Sequence, residues 1–325
     1  MAVIAYLFAI LKNAVYGTTV FFTKELTQST DVLDILALRF LMSAVVFWLL
    51  KITRVCKIRV GVKDFFAGSE RRSALKVVLL TALFEPVLYM FFETMGVSMS
   101  SNITAGVILS LSAVTSCVFE MIFLKETSTT MQKIFLGLGI FGAIYIAVNT
   151  DTSTGKDSVL GILFLILTVV SGSLFCVFSR KSSRSFRAME VTYVSCMLGA
   201  LIFNAVNVVR HLFVGDILHY FDPYFNWENL IGFAFLAILS TIVATGMNNF
   251  ALGYMQSSTM AAFGGISTFV TIGVGMALGG ETLETYHIVG LVFILARMIG
   301  VSYIAIKRDR QKLALTANTP EKTEE

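Results

Sequence analysis

From Asn229 to Gly280 the chain runs for 52 residues without a charged side chain or a histidine. Shorter runs free of charge cover Thr94–Phe119, Ile134–Thr150, Ser158–Ser179 and Val191–Val209. A helix needs about 20 residues to cross about 30 Å of hydrocarbon. Most of these runs reach or approach one crossing. The longest holds two, with a turn at GYMQSST (Gly253–Thr259). Lipid offers no hydrogen-bond partners to a backbone, so only helices and closed barrels cross it, and barrel strands are about half this long. The runs therefore predict transmembrane helices. Composition agrees: 56% of residues are hydrophobic, 14% are charged and mean hydropathy is +0.79, whereas soluble domains carry about 25% charge. A soluble protein with an oversized core does not account for segments of this length.

Ten spans are predicted, at about 2–23, 33–51, 75–95, 101–124, 132–149, 159–180, 189–212, 229–252, 258–279 and 285–306. The fold class is thus all-α and polytopic, with halves at 1–150 and 158–306 and a polar, disordered tail at 307–325. The N-terminal apolar run carries Lys12 and continues to Phe22, which reads as a first span and not as a cleaved leader. With ten spans both termini share one side. The even-numbered loops and the tail hold 19 of the 25 Lys and Arg residues, and the odd-numbered loops hold Lys24, Lys156 and Arg210. That asymmetry predicts cytoplasmic termini. The net charge of +4 reports topology and makes no case for nucleic acid.

The chain also repeats itself. A shift of 155 residues lays Tyr16-Gly17-Thr18 on Ser171-Gly172-Ser173, Ser112 on Ser267, and LKET (Leu124–Thr127) on GGET (Gly279–Thr282). A shift of 156 lays DILALRF (Asp34–Phe40) on EVTYVSC (Glu190–Cys196). Each half holds five spans, an odd number, so the halves insert in opposite orientations. Inverted repeats of this kind recur in secondary transporters, with the site at the interface between repeats.

Two five-span halves, an early YG or SG on the first helix of each, Arg39 within LRFLMSA, and a small-residue helix ending in an acidic turn resemble the EamA-type drug/metabolite transporters. The resemblance covers nearly all of residues 1–306. Ala113 and Thr268 stand where that family often carries proline. The resemblance implies transport of small polar organic solutes, such as amino acids, without ATP.

No enzyme motif competes with it. TSTGKDS (Thr152–Ser158) lacks the spacing that wraps phosphates, and neither HExxH nor GxSxG occurs. Cys56, Cys117, Cys176 and Cys196 show no paired spacing, and His211, His219 and His287 show no ligand spacing. No catalytic residue, metal or cofactor is expected. Asn102 opens a formal glycosylation sequon, NIT, close against a span.

Six charges fall inside the predicted spans: Lys12, Arg39, Glu85, Glu93, Glu120 and Arg297. A charge at the bilayer centre costs about 2.5–3.5 kcal/mol on insertion scales. Such residues either clip helices together or line a watered cavity. Lys12, beside Asn13, lies too deep to reach the headgroups easily. Arg297 is similarly deep, and Glu120 lies one turn from a span end. Glu85, Tyr89 and Glu93 are spaced by four and share a helical face. Pro86 lacks an N–H and bends that helix beside Glu85. Glu93 falls under the repeat on Asn248, next to Asn249, which reads equally as an interhelical bond. The candidate substrate or ion site is therefore Lys12, Asn13, Glu85, Tyr89, Glu93, Asn248, Asn249 and Arg297. Arg39, Glu126 and Glu281 are expected to pair or cap, Arg39 with Glu93. The expected protein is a secondary-active exporter or importer of a small polar metabolite, such as an amino acid. It would sit in a bacterial inner membrane and work by alternating access, with a proton as a candidate coupling ion. A nucleotide-sugar antiporter of a eukaryotic organelle and an intramembrane enzyme are the alternatives.

Overall fold

The structure, a computed structural model, describes residues 2–53, 69–124, 129–149, 158–182, 186–255, 260 and 263–317. All regular structure among them is helical. Among the described residues seven helices are long and apolar enough to cross a membrane. They are span 1 (Ile4–Ser29), span 2 (Val32–Ile52), span 3 (Lys76–Ser98), span 4 (Asn102–Phe123), span 6 (Val159–Ser182), span 7 (Ala188–Val214) and span 8 (Trp227–Leu252). Three shorter apolar helices complete the ten: span 5 (Thr130–Ile146), span 9 (Gly264–Ala277) and span 10 (Thr285–Val301).

The helix ends follow local chemistry. The side chains of Asp31, Ser101 and Asn226 accept from the backbone N–H groups of Leu33, Thr104 and Glu228, capping spans 2, 4 and 8. Gly215, at φ 85°, closes span 7 in the left-handed conformation that favours glycine. One expectation is corrected here. The tail read as disordered from Lys307 instead continues the last helix, which runs from Thr285 to Ala317. KRDRQKLALTA consists largely of good helix formers and holds no glycine or proline, so nothing stops the helix at the end of the span. The remainder of the tail lies outside the described residues.

Three of the spans are interrupted. In span 3 the helix breaks over Leu83–Leu88, where Glu85 takes φ −138°, ψ 116° and the Glu85–Pro86 peptide is cis. Span 4 divides into Asn102–Leu109 and Ser112–Phe119. Span 8 passes through a wide, π-helical stretch at Phe235–Ala244. There the hydroxyls of Thr241 and Thr245 donate to the carbonyls five residues back, Leu236 (2.8 Å) and Ser240 (3.3 Å).

Spans 2 and 7 pack together, as do spans 5 and 10, while span 9 packs along span 1 and against span 4. Small residues permit the closest crossings. A β-carbon on Gly17 would stand 2.6 Å from the Ser267 carbonyl oxygen, and one on Gly142 would stand 2.8 Å from that of Gly290. Thr271 donates to the Gly17 carbonyl (2.9 Å) and Thr268 to the Gly106 carbonyl (3.1 Å), so span 9 is hydrogen-bonded to both neighbours in the first half. Large apolar side chains such as Trp48, Ile122, Val148 and Leu201 face outward, as a protein dissolved in lipid requires.

Beyond the close of span 7, Asp216 and the short turns at Ile217–His219 and Asp222–Phe225 fold back onto the bundle. Tyr224 donates to the Leu38 carbonyl (2.6 Å) and Tyr220 to Asn204 Oδ1 (2.7 Å). Burial pushes both phenols above their ordinary pKa, which keeps them protonated as donors. His211 Nε2 lies 2.7 Å from Asp34 Oδ1, and its Nδ1 lies 2.8 Å from Asp216 Oδ1, the latter outside good hydrogen-bond geometry.

Candidate functional site

The centre of the bundle encloses a cavity of about 100 Å³. Spans 1, 3 and 4 of the first half and spans 6, 8 and 9 of the second contribute to its wall. The repeat is visible in the lining itself. Positions related by the 155-residue shift line it in pairs: Glu85 with Ser240, Glu93 with Asn248, Ser112 with Ser267, and Ser116 with Thr271. An inverted repeat places equivalent residues on either side of a pseudo-twofold axis, and the cavity lies where the two halves meet.

Six of the eight expected site residues come together there: Lys12, Asn13, Glu85, Tyr89, Glu93 and Asn248. All but Tyr89 are buried by the surrounding helices. The break in span 3 does not scatter its three polar residues, because Tyr89 and Glu93 stay on the helix Tyr89–Ser98 and Glu85 is carried over the same cavity by the distorted turn. Tyr89 donates to Glu93 Oε1 (3.1 Å), and the other carboxylate oxygen, Oε2, is buried without a partner. Lys12 lies over the Tyr16 ring, 5.1 Å from its centroid, and Tyr16 shares a 3.0 Å bond with the Thr245 hydroxyl. No ion pair joins Lys12 or Arg39 to Glu85 or Glu93 among the described residues.

Two expected site residues lie elsewhere. Asn249 uses its amide between helices: it accepts from Ser179 (2.6 Å) and donates to Thr192 (2.8 Å), tying span 8 to spans 6 and 7. Asn248 and Asn249 are adjacent, and the turn of about 100° per helical residue sends them to different neighbours. Arg297 is 1% exposed and sits behind the wall. Its Nη1 donates to the Ser110 carbonyl at the break in span 4, while Nε and Nη2 have no partner. The carbonyl end of the helix Asn102–Leu109 attracts the positive charge.

The pairing residues divide as well. Arg39 was expected to meet Glu93. Instead Nε donates to Thr241 Oγ1 (3.0 Å) and Nη2 to Ser240 Oγ (3.1 Å). The reason lies in span 8, whose wide stretch contains both hydroxyls and meets Arg39 across the span 2 contact. Ser240 in turn lines the cavity, so Arg39 stands directly behind its wall. Glu281 receives the backbone N–H groups of Asn102 (2.9 Å) and Ile103 (3.1 Å) and the Asn102 side chain (2.7 Å). It thereby caps span 4 from the turn after span 9, and the sequon at Asn102 is buried in that contact. Glu126 and the Glu120 side chain lie outside the described residues.

Sequence reasoning passed over Tyr16, Ser116, Ser240 and Thr271 as lining residues. The signal that could have found them was the repeat itself, which lays Tyr16 on Ser171, Ser116 on Thr271 and Glu85 on Ser240.

Comparison with known proteins follows the same division. A model described as the EamA-like transporter family matches twice, over residues 3–148 and 159–303. The chain is 30% identical to "Uncharacterized transporter YcxC" of Bacillus subtilis (strain 168), over 91% of this chain and 92% of that protein. It is 23% identical to an "Uncharacterized transporter" of Clostridium kluyveri, over 96% and 98% respectively. One crystal structure superposes with a TM-score of 0.63 at 17% identity, over 93% of this chain and 98% of that one, a likeness of fold alone.

Proposed function

Because this chain belongs to the EamA-like transporter family, we propose that it is a secondary-active transporter that carries a small polar metabolite through the central cavity by alternating access. The observation that supports this most is the cavity. Charged groups of the first half meet polar groups of the second there, Glu85 and Glu93 at repeat positions equivalent to Ser240 and Asn248, and no ion pair among the described residues neutralises them. Buried charges that only clip helices together find polar partners, as Arg39 does in the hydroxyls of span 8 and Arg297 in the Ser110 carbonyl. Groups left open toward a cavity serve something that enters it.

The interruptions of spans 3, 4 and 8 all adjoin this cavity, and broken helices are where rigid halves bend past one another. Glu85 lies at the break in span 3 and is the proposed proton site. The resemblance to bacterial relatives supports a plasma membrane, and the asymmetry of basic loops supports cytoplasmic termini. A nucleotide sugar fits the site poorly. About 100 Å³ of cavity admits roughly seven to ten waters, and Lys12 is the one lining cation among the described residues to meet a diphosphate.

Counterflow in proteoliposomes tests the reading, with a radiolabelled panel of amino acids, amines, sugars and nucleosides. Accumulation of one class above that of protein-free vesicles, lost in Lys12→Gln or Glu93→Gln, is expected. No flux of any class by a folded, correctly inserted protein would overturn it.

A further inference from the structure

Span 7 ends in a polar cluster that the transport reading leaves unused. His211 lies in the last turn of that helix and is buried. Its Nε2 lies 2.7 Å from Asp34 Oδ1 of span 2, and its Nδ1 lies 2.8 Å from Asp216 Oδ1 in the loop. Both ring nitrogens therefore face a carboxylate, one on each neighbouring element. From span 7 itself Arg210 reaches Asp34 Oδ2 (3.4 Å) and Asp31 Oδ2 (3.2 Å), and Asn207 donates to Asp34 Oδ1 (2.8 Å). Tyr220 of the loop sets its ring edge-on to the imidazole, with 5.2 Å between centroids. His219 and Asp222, 2.6 Å apart, pair with each other on the exposed side of the loop.

The two contacts of His211 differ. Asp34 Oδ1 already accepts from Asn207 and its second oxygen faces Arg210, so the hydrogen between Asp34 and His211 stands on Nε2. A neutral imidazole has one N–H, and Nε2 uses it. Nδ1 then turns a lone pair toward Asp216 Oδ1, and both atoms are buried without a hydrogen-bond partner. A buried acceptor left without a donor is destabilising, and a charged one more so. A second proton on the ring makes Nδ1 a donor and sets a positive charge between the two carboxylates. The distance to Asp216 is already that of a hydrogen bond, which leaves only the angle to adjust.

Asp216 opens the loop that bonds Asn204 of span 7 through Tyr220 and the Leu38 carbonyl of span 2 through Tyr224, and that runs on into span 8. A closed cluster thus ties the ends of spans 2, 7 and 8 together. The 155-residue shift lays His211 on Cys56, so the cluster belongs to one end of the bundle. We propose that His211 is a proton-operated latch. Protonated, it bridges Asp34 and Asp216 and holds the loop, residues 215–226, on the ends of spans 2 and 7. Neutral, it keeps Asp34 and releases Asp216. Histidine changes charge between about pH 5 and 8, so acid closes the latch and alkaline medium opens it. On the transport reading, a closed latch brakes the parting of these helix ends.

The experiment reads the loop directly. The full chain, cysteine-free except for Leu218→Cys, is placed in lipid nanodiscs, and the mobility of a nitroxide on that cysteine is followed from about pH 5 to about pH 9. Leu218 is 91% exposed and stands outside the cluster. The label is expected to be held in acid and to loosen in one step as pH rises. Asp216→Asn, whose amide serves either ring state, should flatten the step, and so should His211→Gln. Asp216 is only partly buried, so its variant keeps the test decisive should His211→Gln fail to fold. His219→Gln should leave the step in place. Mobility independent of pH in the parent, a step that persists in Asp216→Asn, or a step lost in His219→Gln overturns the latch. The readout needs no substrate. A step in a protein that transports nothing removes the transport reading and leaves the latch, whereas flux without a step removes the latch and leaves transport.

Discussion

Arg39 carries a fully buried guanidinium that meets hydroxyls in place of a carboxylate. Removing such a group leaves its partners to one another, so the expected effect is on span 2 against span 8. A double-mutant cycle of Arg39→Gln with Thr241→Val should show coupling of about 0.5–3 kcal/mol in thermal unfolding, while the cycle with Glu93→Gln should be additive within about 0.5 kcal/mol. Strong coupling to Glu93 in place of Thr241 would mean that the two pair after all. Glu85 raises a different question. It lines the cavity at the break in span 3 and accepts no hydrogen bond from the described residues. If it carries the coupling proton, Glu85→Gln should preserve folding and remove the pH dependence of transport. Transport whose pH profile survives the change would reduce Glu85 to packing.

At the scale of elements, span 9 and the turn that follows it hydrogen-bond the second half to the first, beside the packing of span 2 on span 7 and of span 5 on span 10. Glu281 receives three donors at the start of span 4. Glu281→Ala strands those donors and should lower stability by about 1–3 kcal/mol, read as a fall in the unfolding midpoint in detergent. A midpoint equal to that of the parent protein would show that water replaces the cap at no loss. Where span 9 crosses span 1, a side chain at Gly17 would meet both the Ser267 carbonyl and the Val270 side chain at 2.6 Å. The first of these is backbone and cannot swing aside. Gly17→Val should therefore abolish transport or folding, while Gly137→Ala, with open space around its β-position, should not.

For the whole molecule the decisive property is orientation. Cysteines placed singly at Ser69 and Gly215 in a cysteine-free background should react with membrane-impermeant reagent from opposite sides, Gly215 from outside, because 19 basic residues lie in the even-numbered loops and tail. Reaction of both from outside would overturn the ten-span arrangement. The two ends of the bundle also differ in structure. One carries the aromatic loop, tied down by Tyr220, Tyr224 and His211. The other carries the last helix onward to Ala317.

Span count, the two halves and the family were legible in the chain because each depends on quantities that run along it: the length of apolar runs, the spacing of a repeat, the placing of basic loops. The Glu85-Tyr89-Glu93 stripe was legible for the same reason, since a spacing of four fixes a helical face before any neighbour is known. Nothing along the chain says how a helix is rotated against its neighbours. That rotation places Asn248 on the cavity and sends Asn249 to Ser179 and Thr192. It also gives Arg39 to the hydroxyls of span 8 and hides Arg297 behind the wall at Ser110. In hydrocarbon every buried polar group takes whichever partner the packing brings within reach, so the sequence determined which residues need a partner, and the tertiary structure decided which found one and which were left without.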